Sequence, residues 1–324
     1  MSRLMLILLL TTACAFAIEP KKRGTPMTLD RQSADALLQM GDTTFQQKDY
    51  AAAFTQYEKA VNAAREEFNR PVEVEALSQM ARMRLLMNKM DDARKYLAEA
   101  ASRTNESDSM GWSRYLGVKG RVEWRTGDLK TARQTFETMF DYCSLYDLWS
   151  RAVDAAHMVA IVAESPEEQM EWSRKGISIA EARETENWLG PLWNNLAGIY
   201  YDMKKYDSAL ECYKTAREYH WRFSDERSKL VADYHVGMVY RYLGEFNVAG
   251  TWLRPVLAWA ERLQDHDMIG QSCEDLGEAA IGLGRKDEGL AYLKRARDEY
   301  KLAGYATSAP EIWENISKRI EQAR

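Results

Sequence analysis

Cysteine, histidine and proline are all scarce in this chain, at four, four and seven of its 324 residues. Cys14, Cys143, Cys212 and Cys273 lie far apart with no CxxC pair among them, which excludes a disulfide-stapled domain and gives no signal of zinc or thioredoxin-type chemistry. If Cys14 is lost with a leader, an odd set remains, and all three are expected to be packing thiols. His157, His220, His235 and His266 show no HExxH or paired spacing, so no metal is expected. Positive charge is not in excess either: 44 Lys and Arg stand against 49 Asp and Glu, which argues against a general binder of nucleic-acid backbones. Glycine and proline together make 25 residues, the sum of 18 and 7, too few for a collagen-like or low-complexity chain. No GxSxG elbow is present, and Gly282-Leu283-Gly284 falls at a turn with no strand before it. The sequence therefore nominates no catalytic residue and no cofactor, and a non-enzymatic protein is expected.

What is present is a folded-protein composition, 46% apolar and 29% charged, behind a distinctive N-terminus. Arg3 precedes the unbroken apolar run Leu4–Leu10, and Ala15-Phe16-Ala17 is a small-x-small tripeptide. The run is too short to span a bilayer and reads as a secretory signal peptide over 1–17, followed by a linker over 18–32. A second reading is lipid attachment at Cys14 within Thr11-Thr12-Ala13-Cys14. Either way the chain is expected to be exported to the periplasm or outside the cell, with no transmembrane segment after cleavage.

Self-similarity organises everything beyond the linker. A small residue, a bulkier one four later and a small or modest one three beyond recur as Ala53/Tyr57/Ala60, Ala93/Leu97/Ala100, Ala132/Phe136/Met139, Gln169/Ser173/Gly176, Ala209/Tyr213/Ala216, Ala249/Leu253/Val256 and Gly289/Leu293/Ala296. Twelve residues before each first member stands Gly41, Ala81, Gly120, His157, Ala197, Gly237 or Gly277. Apolar residues beside these positions give the i, i+3, i+4 stripe of an amphipathic helix. Turn sequences such as Gly127-Asp128-Leu129 and Gly244-Glu245-Phe246 lie between the stripes, so each unit is expected to be a helical hairpin. The fourth is the weakest copy, with His157 and Ser173 at its packing positions and Ser165-Pro166-Glu167-Glu168 for its turn, and it is expected to pack loosely and serve as a bend or hinge. Pro310 should open a last helix whose apolar face is Ile312, Trp313, Ile316 and Ile320 and whose outer face is Lys318, Arg319, Glu321, Gln322 and Arg324.

Trp193-Asn194-Asn195-Leu196-Ala197-Gly198-Ile199-Tyr200, followed by Tyr206, Ala209, Tyr213 and Ala216, resembles the tetratricopeptide repeat. Tyr234 to Val256 and Ala34 to Ala60 resemble it nearly as well. Units near 40 residues are longer than the family's 34 and are similar to those of kinesin-light-chain-like and bacterial regulator-type members. The resemblance implies an all-α, right-handed α-solenoid of seven hairpins over 33–301, at approximately 34–66, 73–102, 109–141, 147–182, 186–222, 226–263 and 266–301, with a capping helix over 309–323.

The same resemblance implies a concave groove lined by the first helix of each unit. Carried onto this chain, the groove wall comprises Arg82, Arg114, Arg121, Trp124, Arg125, Arg151, Asn194, Asn195, Tyr201, Tyr234 and Arg241, with Tyr242 beside them. Guanidinium groups and aromatic rings suit a peptide segment of acidic character. The competing reading leaves these arginines merely solvated, or pairs them with acidic residues of adjacent units. The lysine and asparagine clamp of chaperone-binding relatives is not matched, since Ser78, Arg82 and Val118 stand in the most basic region. The implied function is a non-enzymatic scaffold that holds a peptide or partner domain in the bacterial cell envelope. The alternative is a sensor whose curvature changes on binding a small-molecule or peptide effector.

Overall fold

The computed structural model describes residues 32–323. The signal peptide, its processing at Ala17 or Cys14, and all but the last residue of the linker lie outside the described residues.

Among the described residues the chain is all-α, with no strand. The helices are α1 Ala34–Gln46, α2 Tyr50–Glu66, α3 Arg70–Leu86, α4 Met90–Arg103, α5 Ser109–Arg125, α6 Leu129–Leu145, α7 Trp149–Val162 and α8 Pro166–Ala182. After a 3-10 turn at Glu186–Trp188 come α9 Leu189–Asp202, α10 Tyr206–Phe223, α11 Glu226–Tyr242, α12 Phe246–Leu263, α13 His266–Gly282, α14 Lys286–Leu302, the short α15 Tyr305–Ser308 and α16 Pro310–Gln322. They belong to two compact units that part between Leu192 and Trp193, inside α9.

Local chemistry sets the helix boundaries. The side chains of Ser33, Asp49, Asn69, Asp128, Ser165, Asp225 and Asp265 each accept from a backbone N–H in the first turn of the helix that follows, satisfying a donor the helix leaves unpaired. Gly127, Gly244 and Gly284 take φ of +86°, +78° and +78° at three of the turns inside hairpins, the left-handed geometry that glycine adopts without steric cost. Lys48, Asn88 and Lys204 occupy the equivalent places at φ of +63°, +57° and +58°.

The repeated small residue has a direct steric cause. A Cβ at Gly41 would lie 2.5 Å from the Tyr57 ring, one at Gly120 2.6 Å from Phe136, one at Gly237 2.8 Å from Leu253 and one at Gly277 2.9 Å from Leu293. Each pair is sixteen residues apart, the sum of the twelve and four read in the repeat, so the bulky side chain of the second helix lies on the bare backbone of the first. Tyr57 and Phe136 have no exposed surface in that position. The fourth hairpin exchanges the sizes: His157 and Ser173 are both buried, at 6% and 1% exposure, with the larger side chain on the first helix. Its turn is capped by Ser165 before Pro166. The Glu168 carboxylate accepts from Arg133 of α6.

Beyond the first hairpin, first helices are more deeply buried than second helices. In the first unit, 13 of 17 residues of α3 are buried against 2 of 14 in α4, and 11 of 14 in α7 against 4 of 17 in α8. In the second unit α13 buries 11 of 17 and α14 only 4 of 17. The three cysteines are packing residues: all are buried and unbridged, and burial pushes the Cys143 and Cys273 thiols up to about 12. On α16, Ile316 and Ile320 are buried. Arg319, expected on the outer face, instead turns inward and donates to Glu274 at 2.7 Å and Glu278 at 3.2 Å on α13.

One turn carries strain that a substitution should relieve. Phe68 holds φ at +55° while 94% exposed, and the left-handed region costs a side-chain-bearing residue roughly 1–2 kcal/mol. Phe68→Gly is expected to stabilise the first unit by about 0.5–1 kcal/mol after glycine's larger unfolded-state entropy is subtracted. A higher urea midpoint with an unchanged m-value checks it.

Candidate binding site

The first-helix arginines expected to line an open wall are the charged interior of the first unit. Arg82 is 4% exposed, Arg114 7%, Arg121 9% and Arg151 7%. The reason is charge pairing between repeats. Arg151 on α7 donates from Nη2 to Glu75 Oε2 on α3 at 2.6 Å, and from Nη1 to Ser113 Oγ on α5 at 2.5 Å. The Nε of Arg114 lies 3.5 Å from the same Glu75 oxygen, and its Nη2 3.9 Å from Asp42 on α1. Arg121 donates to Asp154 Oδ1 at 2.6 Å and to the Gly117 carbonyl at 3.0 Å. Arg82 lies over the Phe45 ring, its guanidinium carbon 4.7 Å from the centroid.

Asp42, Glu75, Arg114 and Arg151 thus join the first helices of four different hairpins through carboxylate and guanidinium groups. Burial would raise the Asp154 carboxyl, but Arg121 and Arg82 outweigh it and hold the group below its usual range. Burial, with Arg121 and Arg114 nearby, pushes Arg82 down to about 9. His157 in the same interior is pushed down to about 4, chiefly by burial. A cavity of about 10 Å³ opens among Arg82, Arg114, Arg121, Arg151, Asp154 and Gly117, the room that one water-sized group needs.

Two other predicted residues of this unit stay nearer the surface. Trp124 is half-buried and packs on the core shared by α5, α6 and α7. Arg125 is exposed, donating to Asn88 Oδ1 at 2.9 Å.

In the second unit, Tyr234 is buried and its hydroxyl donates to Asp275 Oδ2 at 2.7 Å. Arg241 donates to Asp275 Oδ1 at 2.8 Å and lies over the Tyr242 ring at 3.6 Å. Burial lowers the Arg241 guanidinium, but Asp275 more than compensates and leaves it raised. Asn194 accepts from His235 Nδ1 at 2.9 Å; Asn195 and Tyr201 are half-buried. Tyr201, Tyr206 and Tyr242 form one ring cluster from α9, α10 and α11, with centroids 5.0 Å apart for Tyr201–Tyr242 and 5.2 Å for the stacked Tyr206–Tyr242 pair.

The sequence reading missed the acidic partners Asp42, Glu75, Asp154 and Asp275. Their signal was positional. Glu75, Arg114 and Arg151 each stand six residues before the repeat's small-residue position, at 81 − 75, 120 − 114 and 157 − 151. Opposite charges at one register position of successive helices pair with each other before they meet a ligand. Among the described residues no group of three or more His, Cys, Asp and Glu side chains is placed to hold a metal ion, and no helix is long and apolar enough to cross a membrane.

Comparison with known proteins agrees with this repeat geometry. Two tetratricopeptide repeat models match, over residues 32–106 and 191–219. No curated protein matches the sequence. The fold is similar to that of a signal transduction ATPase with numerous domains, carrying a tetratricopeptide repeat sensor, from Pyrococcus horikoshii, at 15% identity and a TM-score of 0.69 over 89% of this chain. The present chain spans 44% of that protein's length. The apo form of RapI is similar at 16% identity and a TM-score of 0.64, over 83% of this chain and 76% of RapI. A Rap protein complexed with competence and sporulation factor is similar at 13% identity and a TM-score of 0.57, over 92% of this chain and 90% of that one. With its repeat matched in sequence at two places and its helical-hairpin array matched in fold, this chain carries tetratricopeptide repeats at 32–106 and 191–219.

Proposed function

We propose that the protein is a non-enzymatic scaffold that binds a peptide segment or partner domain on its first-helix faces. The observation that carries this reading is the tyrosine cluster of the second unit. Tyr201, Tyr206 and Tyr242 come from three helices, contact one another and remain half-buried. Such rings offer a large, rigid, amphipathic contact area at little entropic cost. Arg241 beside them is fixed by Asp275 and stacked on Tyr242, so the platform is built before any partner arrives.

In the first unit the contact for an acidic partner is the exposed Arg125 with Trp124 near it. The N-terminal segment Met1–Ala17 supports a place in the cell envelope. Tyr201→Ala with Tyr242→Ala is expected to abolish co-purification of the native partner, with unchanged helicity by circular dichroism. Trp124→Ala with Arg125→Ala should weaken it at least tenfold. Undiminished capture by both double variants would overturn the proposal, and fractionation of the host cell tests the location.

The fold likeness to a protein with a tetratricopeptide repeat sensor and to a Rap protein complexed with a factor favours a second reading, effector sensing. Recovery of a small ligand from the purified protein, with no partner protein, would favour that reading.

A further inference from the structure

The cavity of the first unit has a lining that points to one class of ligand. Four guanidinium groups, from Arg82, Arg114, Arg121 and Arg151, border it together with a single carboxylate, Asp154. The arginines come from α3, α5 and α7, so their positions are set by three packed helices and not by flexible loops. Protein partners hold the guanidiniums in place: Arg151 is held by Glu75 and Ser113, Arg114 by Glu75 and Asp42, and Arg121 by the Gly117 carbonyl and Asp154, of which Glu75 and Asp42 lie outside the void. Donors held this way lose no side-chain entropy when an anion arrives. In a water-poor interior each charge-assisted hydrogen bond is stronger than at the surface.

The wall is open because Gly117 has no side chain. A Cβ there would stand 3.2 Å from the Met139 sulfur and methyl and 3.5 Å from Arg121 Nη1. At about 10 Å³ the space admits one oxygen-sized group and excludes a sugar, a nucleobase or an aromatic side chain.

We propose that this cavity is an anion site that takes one oxygen of a single carboxylate, presented between the Arg82, Arg114, Arg121 and Arg151 guanidiniums. The inference deepens the scaffold reading by naming the group recognised in the first unit, and it rests on that reading only for the source of the carboxylate. An acidic peptide and a free small carboxylic acid share the chemistry.

The test uses the purified protein and two probes at constant ionic strength: carboxyl-labelled acetate followed by NMR, and a hexaglutamate peptide followed by calorimetry. Acetate is expected to bind saturably at one site. Arg82→Gln should weaken it at least tenfold, and so should Gly117→Ala, which leaves every charge in place, narrows the void, crowds only the flexible end of Met139 and reaches Arg121 Nη1 at an ordinary contact distance of 3.5 Å. Arg94→Gln, an exposed arginine paired with Asp91 on α4, serves as the control and should bind acetate as the unaltered protein does. Hexaglutamate competing with acetate identifies a peptide source, whereas acetate binding without competition identifies a free acid. No saturable acetate binding, or binding unchanged by both cavity substitutions, overturns the site. Acetate binding without any co-purifying partner upholds the site and removes the scaffold role; partner capture without acetate binding does the reverse.

Discussion

Replacing Glu75 by alanine is expected to lower the unfolding free energy of the first unit by about 3–5 kcal/mol, the usual cost of removing one partner from a buried ion pair. Glu75 is 4% exposed, and one of its oxygens lies 2.6 Å from Arg151 Nη2 and 3.5 Å from Arg114 Nε. The substitution leaves two buried guanidiniums without the carboxylate that both face. Calorimetry of the variant beside the unaltered protein measures the loss. Salt should change it little, because buried pairs are screened far less than surface ones. The variant Glu75→Leu with Arg151→Met is expected to recover only part of the stability, since it replaces one buried pair by apolar groups but leaves Arg114 with Asp42, 3.9 Å away, as its carboxylate. A loss below about 1 kcal/mol, the range of a surface pair, would show that the network is solvated. Arg121 and Asp154 form the second half of the interior network, 2.6 Å apart at 9% and 2% exposure, and Asp154→Ala belongs in the same range.

The fold was legible because packing repeats. The sixteen-residue interval between Gly41 and Tyr57 is a contact, and it recurs between Gly120 and Phe136 and between Gly277 and Leu293, so counting residues amounted to measuring the hairpin. The candidate site was less legible. A resemblance to a family assigns first-helix positions to a groove, but whether such a position meets solvent depends on what the neighbouring repeats place at the same register. Glu75 one repeat before Arg114 and two before Arg151 turns that column inward, since Arg151 reaches a carboxylate 76 residues away. Arg125 lies one helical turn beyond Arg121, where no such carboxylate stands, and it remains exposed. Alignment of the charged columns, in addition to the small-residue columns, would have separated the two. The fourth hairpin shows the same limit in another form: read by position, His157 and Ser173 look like poor packing, yet both are buried, because a large residue on one helix and a small one on the other fill the space as well in either order.

Acid is expected to destabilise the second unit well before it reaches ordinary carboxylates. Burial pushes His235 down to about 3 and His220 to about 4. His235 is held neutral with Nδ1 donating to Asn194, and the Nδ1 of His220 lies 2.8 Å from Ser224 Oγ. In the unfolded chain both titrate near 6.5. The folded values are depressed, so the unfolded state takes up protons first: stability is complete above about pH 6.5 and falls by about 1.4 kcal/mol per histidine for each pH unit below it. By pH 5 the pair has cost the second unit about 4 kcal/mol, roughly twice the effect of the single depressed histidine of the first unit, His157. Between pH 6.5 and 5 few carboxylates titrate, which isolates the histidines in that window. His235→Gln keeps a hydrogen-bonding side chain but removes the titration, and it should lower the slope of urea-derived stability against pH by about 1.4 kcal/mol per unit in the second unit alone. An unchanged slope would mean that water reaches His235 and solvates its charged form, against the 1% exposure of that side chain.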